Sequence, residues 1–198
     1  MKNFLDLVKQ RRSIYQLNKN LPISEEEVLE TIKEISVQLP SAFNSQSARI
    51  VVLLGDENQK LWNITKETLK GIVGADNFAS TEEKMNSFAA GYGTILYFDD
   101  TAITNHFAEQ FAAFKDNFPV WANQANGILQ FGIWSALAEK GIGASLQHYN
   151  PIIDNEVKKE FNIPDSYQLV AQMPFGGIVE PAGPKDVIDS NKMVVIRK

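Results

Sequence analysis

Residues 119–140 read PVWANQANGILQFGIWSALAEK, and the assignment of this stretch decides the fold. Ile128, Phe131, Trp134 and Leu137 recur at helical spacing, Pro119 suits a first turn, and Gly141 suits the position just past the end. A long helix is predicted. Its apolar residues spread around much of the barrel, and a helix of that kind belongs in the centre of a protein or in a subunit interface.

Outward from it, residues 93–98 (GTILYF), 167–173 and 49–54, with its IVVLL run, read as strands, the last as a buried one. Residues 143–149 read as a further strand after a glycine-rich turn, and residues 192–197 (KMVVIR) as an edge strand. Ser24 followed by Glu27 is a capping box for a helix carrying Val28, Ile32, Ile35 and Leu39 and stopped by Pro40. Ser80 and Glu83 form a second such box, opening a short helix toward Ala90. Helical periods also cover residues 3–12, 56–73, 102–115 and 154–161. Residues 174–184 (PFGGIVEPAGP) read as loop. Helices thus separate the strands, which favours a mixed α/β arrangement around a central sheet, in a single domain over residues 1–198.

The bulk composition narrows the function. With 44% hydrophobic residues and a formal charge of -5, the chain can bury a sizeable core and does not resemble a disordered one. It has no basic run longer than a pair, which argues against non-specific nucleic-acid binding. The absence of Cys excludes disulfides, thiolate catalysis and Cys-bound metal centres. No run of eighteen apolar residues points to a membrane span, and the N-terminal segment lacks the apolar stretch of a signal peptide, so a cytoplasmic protein is expected.

Few motifs carry chemistry by themselves. His106 and His148 are too isolated for a metal site, and no GxSxG elbow occurs. GIGASL at 141–146 lacks the third glycine of a dinucleotide loop and follows a helix, so a helix cap and tight connection is the plainer reading; its glycines would also let backbone amides approach a flat ligand. Arg11 and Arg12 are two of only four arginines. They read either as solvated charge suiting a helix C-terminus or, with Ser13, as an anchor for an anion, since guanidinium groups bind phosphate in bidentate fashion. In SAFNSQS, Asn44, Gln46 and the serines either satisfy loop backbone or present donors and acceptors to a heterocycle's polar edge.

Taken together, RRSIY at 11–15, PSAFNSQSARIVVL at 40–54, GIGASLQHYNP at 141–151 and the closing FGG and PAGPK at 175–185 resemble the flavin mononucleotide (FMN) dependent nitroreductases. The likeness is to the short bacterial branch related to the yeast fatty-acid-repression mutant protein. It implies an α+β, three-layer α/β/α fold with a central mixed, mainly antiparallel sheet, in an intertwined homodimer with two FMN sites at the subunit boundary. By that resemblance Arg11, Arg12 and Ser13 reach the flavin phosphate and pyrimidine region. Ser41, Phe43, Asn44 and Gln46 come from the partner subunit to the ring and ribityl chain. Gly143, Ala144, Ser145 and Gln147 lie against the flavin, and Lys185 and Arg197 close on the phosphate. Phe43, Trp121 and Tyr149 are the expected walls of a flat acceptor pocket. The implied activity passes a hydride from NAD(P)H through FMN to a nitroaromatic, quinone or similar acceptor, with no metal and no catalytic side chain, because the flavin carries the chemistry. The family commonly has a Glu before the mid-chain glycines where this chain reads Gly141-Ile142-Gly143; that keeps open an FMN-binding regulatory or stress-response protein with little turnover.

Overall fold

A computed structural model describes residues 3–198 of the chain. Strand β3 (Gly93–Asp100) pairs antiparallel with β2 (Ala48–Leu54) on one side and with β5 (Tyr167–Ile178) on the other. The two-residue strands β1 (Leu17–Asn18) and β4 (Gly143–Ala144) also pair antiparallel with β5. The only parallel element among the described residues is an isolated bridge between Ser13 and Ala144.

Alternation along β3 fixes the layers. Ile95 and Tyr97 face a core shared with Val28 and Ile32 of α2 (Glu25–Gln38) and with Leu129, Ile133 and Leu137 of α6 (Phe118–Glu139). Leu96 and Phe98 face the opposite core, with Leu61 and Trp62 of α3 (Gly55–Val73), Met85 and Phe88 of α4 (Ala79–Ala89), and Val157 of α7 (Asp154–Glu160). Helices therefore cover both faces of the sheet, the α+β arrangement expected.

β5 changes face partway along. Tyr97 lies opposite Ala171 and Phe98 opposite Leu169, so Val170 is an extra residue in a β-bulge. The bulge sends Leu169 to the core under α3 and α4, and Ala171 and Met173 to the core under α2 and α6. Where the ladder is interrupted, the Phe98 carbonyl accepts from Asn126 Nδ2 of α6 at 3.0 Å, and Gln130 Nε2 donates to Asn126 Oδ1 at 2.8 Å. A helix of apolar character thus carries two buried amides that complete the sheet's hydrogen bonding.

Several elements differ from expectation. Residues 174–178 are not loop but the continuation of β5, buried as far as Gly177. Their glycines serve close packing: a Cβ on Gly176 would stand 2.4 Å from the Asn18 carbonyl oxygen, and one on Gly177 2.1 Å from that of Asn20. Residues 192–197 form no edge strand; helix α8 (Ser190–Met193) is followed by exposed chain with no ladder partner. Residues 143–149 hold a strand of only two residues and one further bridge, from Gln147 to Gln172. The predicted helix 102–115 is α5 (Thr101–Gln110) followed by a 3-10 segment, Ala112–Asn117. Ser80 lies inside α4 rather than capping it. Ser24 does cap α2, accepting from Glu27 N at 3.2 Å, but the Glu27 carboxylate pairs with Lys140 at 2.7 Å, tying α2 to the end of α6.

α6 also leaves an apolar stripe uncovered. Val120, Ile128 and Phe131 are 53%, 44% and 36% exposed on a face where helical spacing also places Gln124 and Gly127. The short helix α1 (Phe4–Gln10) packs near the other end of α6, where Gln10 Nε2 donates to the Ala138 carbonyl at 2.6 Å.

Candidate functional site

The chain turns out of α1 at Arg11, whose backbone N–H still donates to the Leu7 carbonyl at 2.9 Å. It then runs beside β4, where Ile14 N donates to the Ala144 carbonyl at 2.9 Å. This turn presents Arg11, Arg12 and Ser13 to a cleft of about 540 Å³, closed on its other side by residues 180–183 and Lys185. Three cations thus face one carboxylate, Glu180. The Arg11 guanidinium lies over the Trp134 ring, 4.2 Å from its centroid, and its Nε is buried without a partner. Burial first, and the charge of Arg12 second, lower the Arg11 pKa from its ordinary value; the cation is held where an anion would favour it. Arg12 Nη2 donates to the Gly183 carbonyl at 2.9 Å and so fastens the chain after β5 across the cleft.

A second cleft, of about 470 Å³, opens between α2, β2 and α6 and is lined by Ser41, Asn44, Gln46, Arg49 and Ile50 among others. Its rim is a strained loop: Phe43, Asn44 and Gln46 have φ of 55°, 52° and 48°, in the left-handed region that non-glycine residues seldom occupy. Hydrogen bonds hold it there. Gln46 N donates to Ser41 Oγ at 3.0 Å, and Arg49 Nη1 donates to the Gln46 and Ala48 carbonyls at 2.8 and 2.9 Å while Nη2 lies 3.5 Å from Asp100. Arg49 is a positioning residue that sequence reading passed over inside a strand; its being one of four arginines beside the amide-rich loop was the available signal. The Phe43 ring is turned away onto an aromatic cluster, with Phe111 at 4.7 Å, Phe118 at 5.5 Å and Trp121 at 5.9 Å between centroids.

The two clefts share no lining residue within one chain. The remaining expected residues fall in other places. Gly143, Ala144, Ser145 and Gln147 are buried and line neither cleft; the space beside Gly143 is filled by Leu17, Ile14 and Ile178 rather than held open. Gln147 Nε2 donates to Ser145 Oγ at 3.0 Å, so this block supports Ser13 through Ala144 from behind. Phe43 and Trp121 stack, whereas Tyr149 of the same chain packs against the opposite core, edge-on to Trp62 at 6.0 Å. Lys185 lines the first cleft, whereas Arg197 lies exposed in the terminal segment and lines neither. Among the described residues no cluster of acidic, His or Cys side chains could hold a metal, and no helix is long and apolar enough to cross a membrane.

Residues 8–177 match the Nitroreductase family. The chain belongs to that family. This nitroreductase-family chain is 30% identical over 190 residues to the putative nitroreductase HBN1 of Saccharomyces cerevisiae, covering 95% of the chain and 94% of the relative. It is 29% identical to the nitroreductase FRM2 of the same yeast over 176 residues, covering 88% and 87%. Among solved structures, the nitroreductase CinD of Lactococcus lactis in complex with nicotinic acid superposes with a TM-score of 0.93 at 45% identity, covering 99% of this chain and all of that one. The same protein has been solved with 4-nitrophenol, at a TM-score of 0.90 with the same identity and coverage. Like the other members, the nitroreductase-family chain is an oxidoreductase.

Proposed function

We propose that this protein is an FMN-dependent NAD(P)H oxidoreductase that reduces flat acceptors such as nitroaromatics or quinones, working as a homodimer whose two chains each supply half of the flavin site. One observation carries the reading. A cleft with a surplus of cations, one of them half-buried with its Nε lacking an acceptor, lies in a protein of formal charge -5. That donor set fits a phosphomonoester, for which paired guanidinium groups, a hydroxyl and an ammonium are suited ligands. The relatives support it: CinD has been solved with a pyridine carboxylate, nicotinic acid, and with 4-nitrophenol. Nitroreductases of the same fold from Desulfitobacterium hafniense and Desulfovibrio desulfuricans have been solved with FMN.

Arg11, Arg12, Ser13 and Lys185 would hold the phosphate. Asn44 and Gln46, from the second cleft of the partner copy, would meet the polar edge of the ring with amide donors and acceptors. The backbone there is already fixed in its strained form, so little ordering remains to oppose binding. When bound, FMN supplies hydride transfer, accepting from NAD(P)H and passing on to the acceptor. The protein's part is orientation, exclusion of water and placement of positive charge and amide donors near the ring, for which Arg12 and Asn44 respectively are the residues in hand. The apolar stripe of α6 and the absence of any shared lining between the clefts support a dimer, because only a second copy can bring an amide-rich loop against a cationic cleft.

The decisive experiment is the absorption spectrum of the purified protein, followed anaerobically after NADH or NADPH is added. Yellow protein with near-stoichiometric FMN that bleaches rapidly supports the enzyme. Colour that persists indicates an FMN-binding protein without turnover, and a colourless protein that takes up no added FMN overturns both readings.

A further inference from the structure

Trp134, one of the apolar residues of α6, does not line the cationic cleft itself but stacks with Arg11, which does. Several constraints converge there. Gln10 Nε2 bonded to the Ala138 carbonyl pins the end of α1 one turn along α6 from Trp134. The Arg11 guanidinium then has its face against the indole, at 4.2 Å. Arg11 Nε and Trp134 Nε1 are both buried without partners, and no ion pair forms to Arg11 among the described residues. Arg12 is engaged differently, since one of its terminal nitrogens already donates to Gly183. The adjacent arginines are therefore not equivalent: Arg12 fastens the segment that closes the cleft, whereas Arg11 is held flat with its hydrogen-bonding edge uncommitted.

We propose that Trp134 is a positioning residue for phosphate recognition, holding Arg11 face-on so that the guanidinium edge meets the phosphomonoester of the cofactor. This rests on the flavin reading above and deepens it by assigning the choice of FMN over riboflavin to the Arg11–Trp134 pair. A cation stacked on an indole keeps its in-plane N–H groups free, and a planar fork held in one orientation loses little entropy on meeting phosphate oxygens. Burial of the guanidinium and its proximity to Arg12 both disfavour the cation, and a bound dianion relieves both.

The test compares equilibrium binding of FMN and of riboflavin, which lacks the phosphate, to the full-length protein freed of flavin, with flavin fluorescence as the readout. Wild type is expected to prefer FMN. Trp134→Ala should cut that preference about ten-fold, through weaker FMN binding and with riboflavin affinity unchanged. Trp134→Phe, which keeps an aromatic face, should retain most of it. Arg11→Lys should resemble Trp134→Ala, because the charge remains but the flat fork is lost. A merely structural Trp134 would weaken both ligands equally, and that result, or an undiminished preference in Trp134→Ala, overturns the assignment. Should Trp134→Ala fail to fold by circular dichroism, Arg11→Lys decides, and retention of the full preference there overturns it too. Wild type that binds neither flavin defeats the flavin reading itself, whereas a wild-type preference that survives Trp134→Ala defeats only the role given to Trp134.

Discussion

Asn126 has no exposed surface and bridges α6 to the interrupted ladder at Phe98, so its value lies in the acceptor it satisfies. Replacing it with Leu strands the Phe98 carbonyl and the Gln130 amide together. Asn126→Leu should destabilise the fold by about 1–3 kcal/mol, read as a lowered urea midpoint with unchanged slope. Tyr149 offers a pH test. Burial pushes its hydroxyl up to about 12, above an unfolded value of about 10. The folded state thus holds the proton longer, and this contribution is complete below pH ~10 and is lost as pH rises toward ~12. Tyr149→Phe should flatten part of the alkaline fall in stability, measured by denaturant titration at pH 9, 10 and 11. Part of the fall should remain, because Tyr97 is buried as well and shifted the same way. Residue chemistry made Arg11, Arg12 and Ser13 legible as an anion anchor and the family resemblance added Lys185; the four share one cleft. Trp134 and Arg49 were not legible as site residues, because stacking and carbonyl bonding depend on neighbours distant in sequence.

Secondary structure followed the sequence where local pattern and tertiary need agree. The capping Ser24 and the stop at Pro40 act through neighbours a few residues away and stand where expected; the apolar run of β2 is a strand as expected, but a half-buried one at the sheet's edge with only Leu53 buried, because burial depends on what packs beside it. β5 departs from that rule. Pro174, Gly176 and Gly177 have the composition of a loop, but their backbones pair with β3, β1 and β4 because nothing larger fits against residues 18–20 and 91–92. Gly177→Ala should therefore destabilise by about 1–3 kcal/mol through overpacking against fixed backbone, visible as a lower thermal midpoint. Ala at Gly71, whose Cβ meets nothing within 4 Å on α3, should instead be neutral or stabilising by up to about 1 kcal/mol. KMVVIR errs in the opposite sense. Its apolar residues suit a strand, but a strand exists only with a hydrogen-bonding neighbour, and Val194, Val195 and Ile196 have no ladder partner among the described residues.

At the scale of the molecule, the proposed dimer rests on the exposed stripe of α6 and the separation of the two clefts. Phe131→Glu places a charge at the C-terminal end of that stripe, away from both clefts. It should shift the protein toward monomer in sedimentation velocity and lower FMN occupancy in proportion; monomer that retains full FMN would show that one chain completes the site. The sequence by itself determined a mix of helices and strands around a central sheet, the long apolar helix and the residue types able to hold a phosphate, because periodicity, capping and side-chain chemistry are local properties, and the family resemblance added the layered α+β class. Only the tertiary structure decided that PFGG is strand, that β5 bulges at Val170, that Tyr149 lies apart from Phe43 and Trp121 of the same chain, and that Arg11 rests on Trp134. Those outcomes depend on which distant backbones approach closely and which buried groups need partners, and close packing settles both once the whole chain is folded.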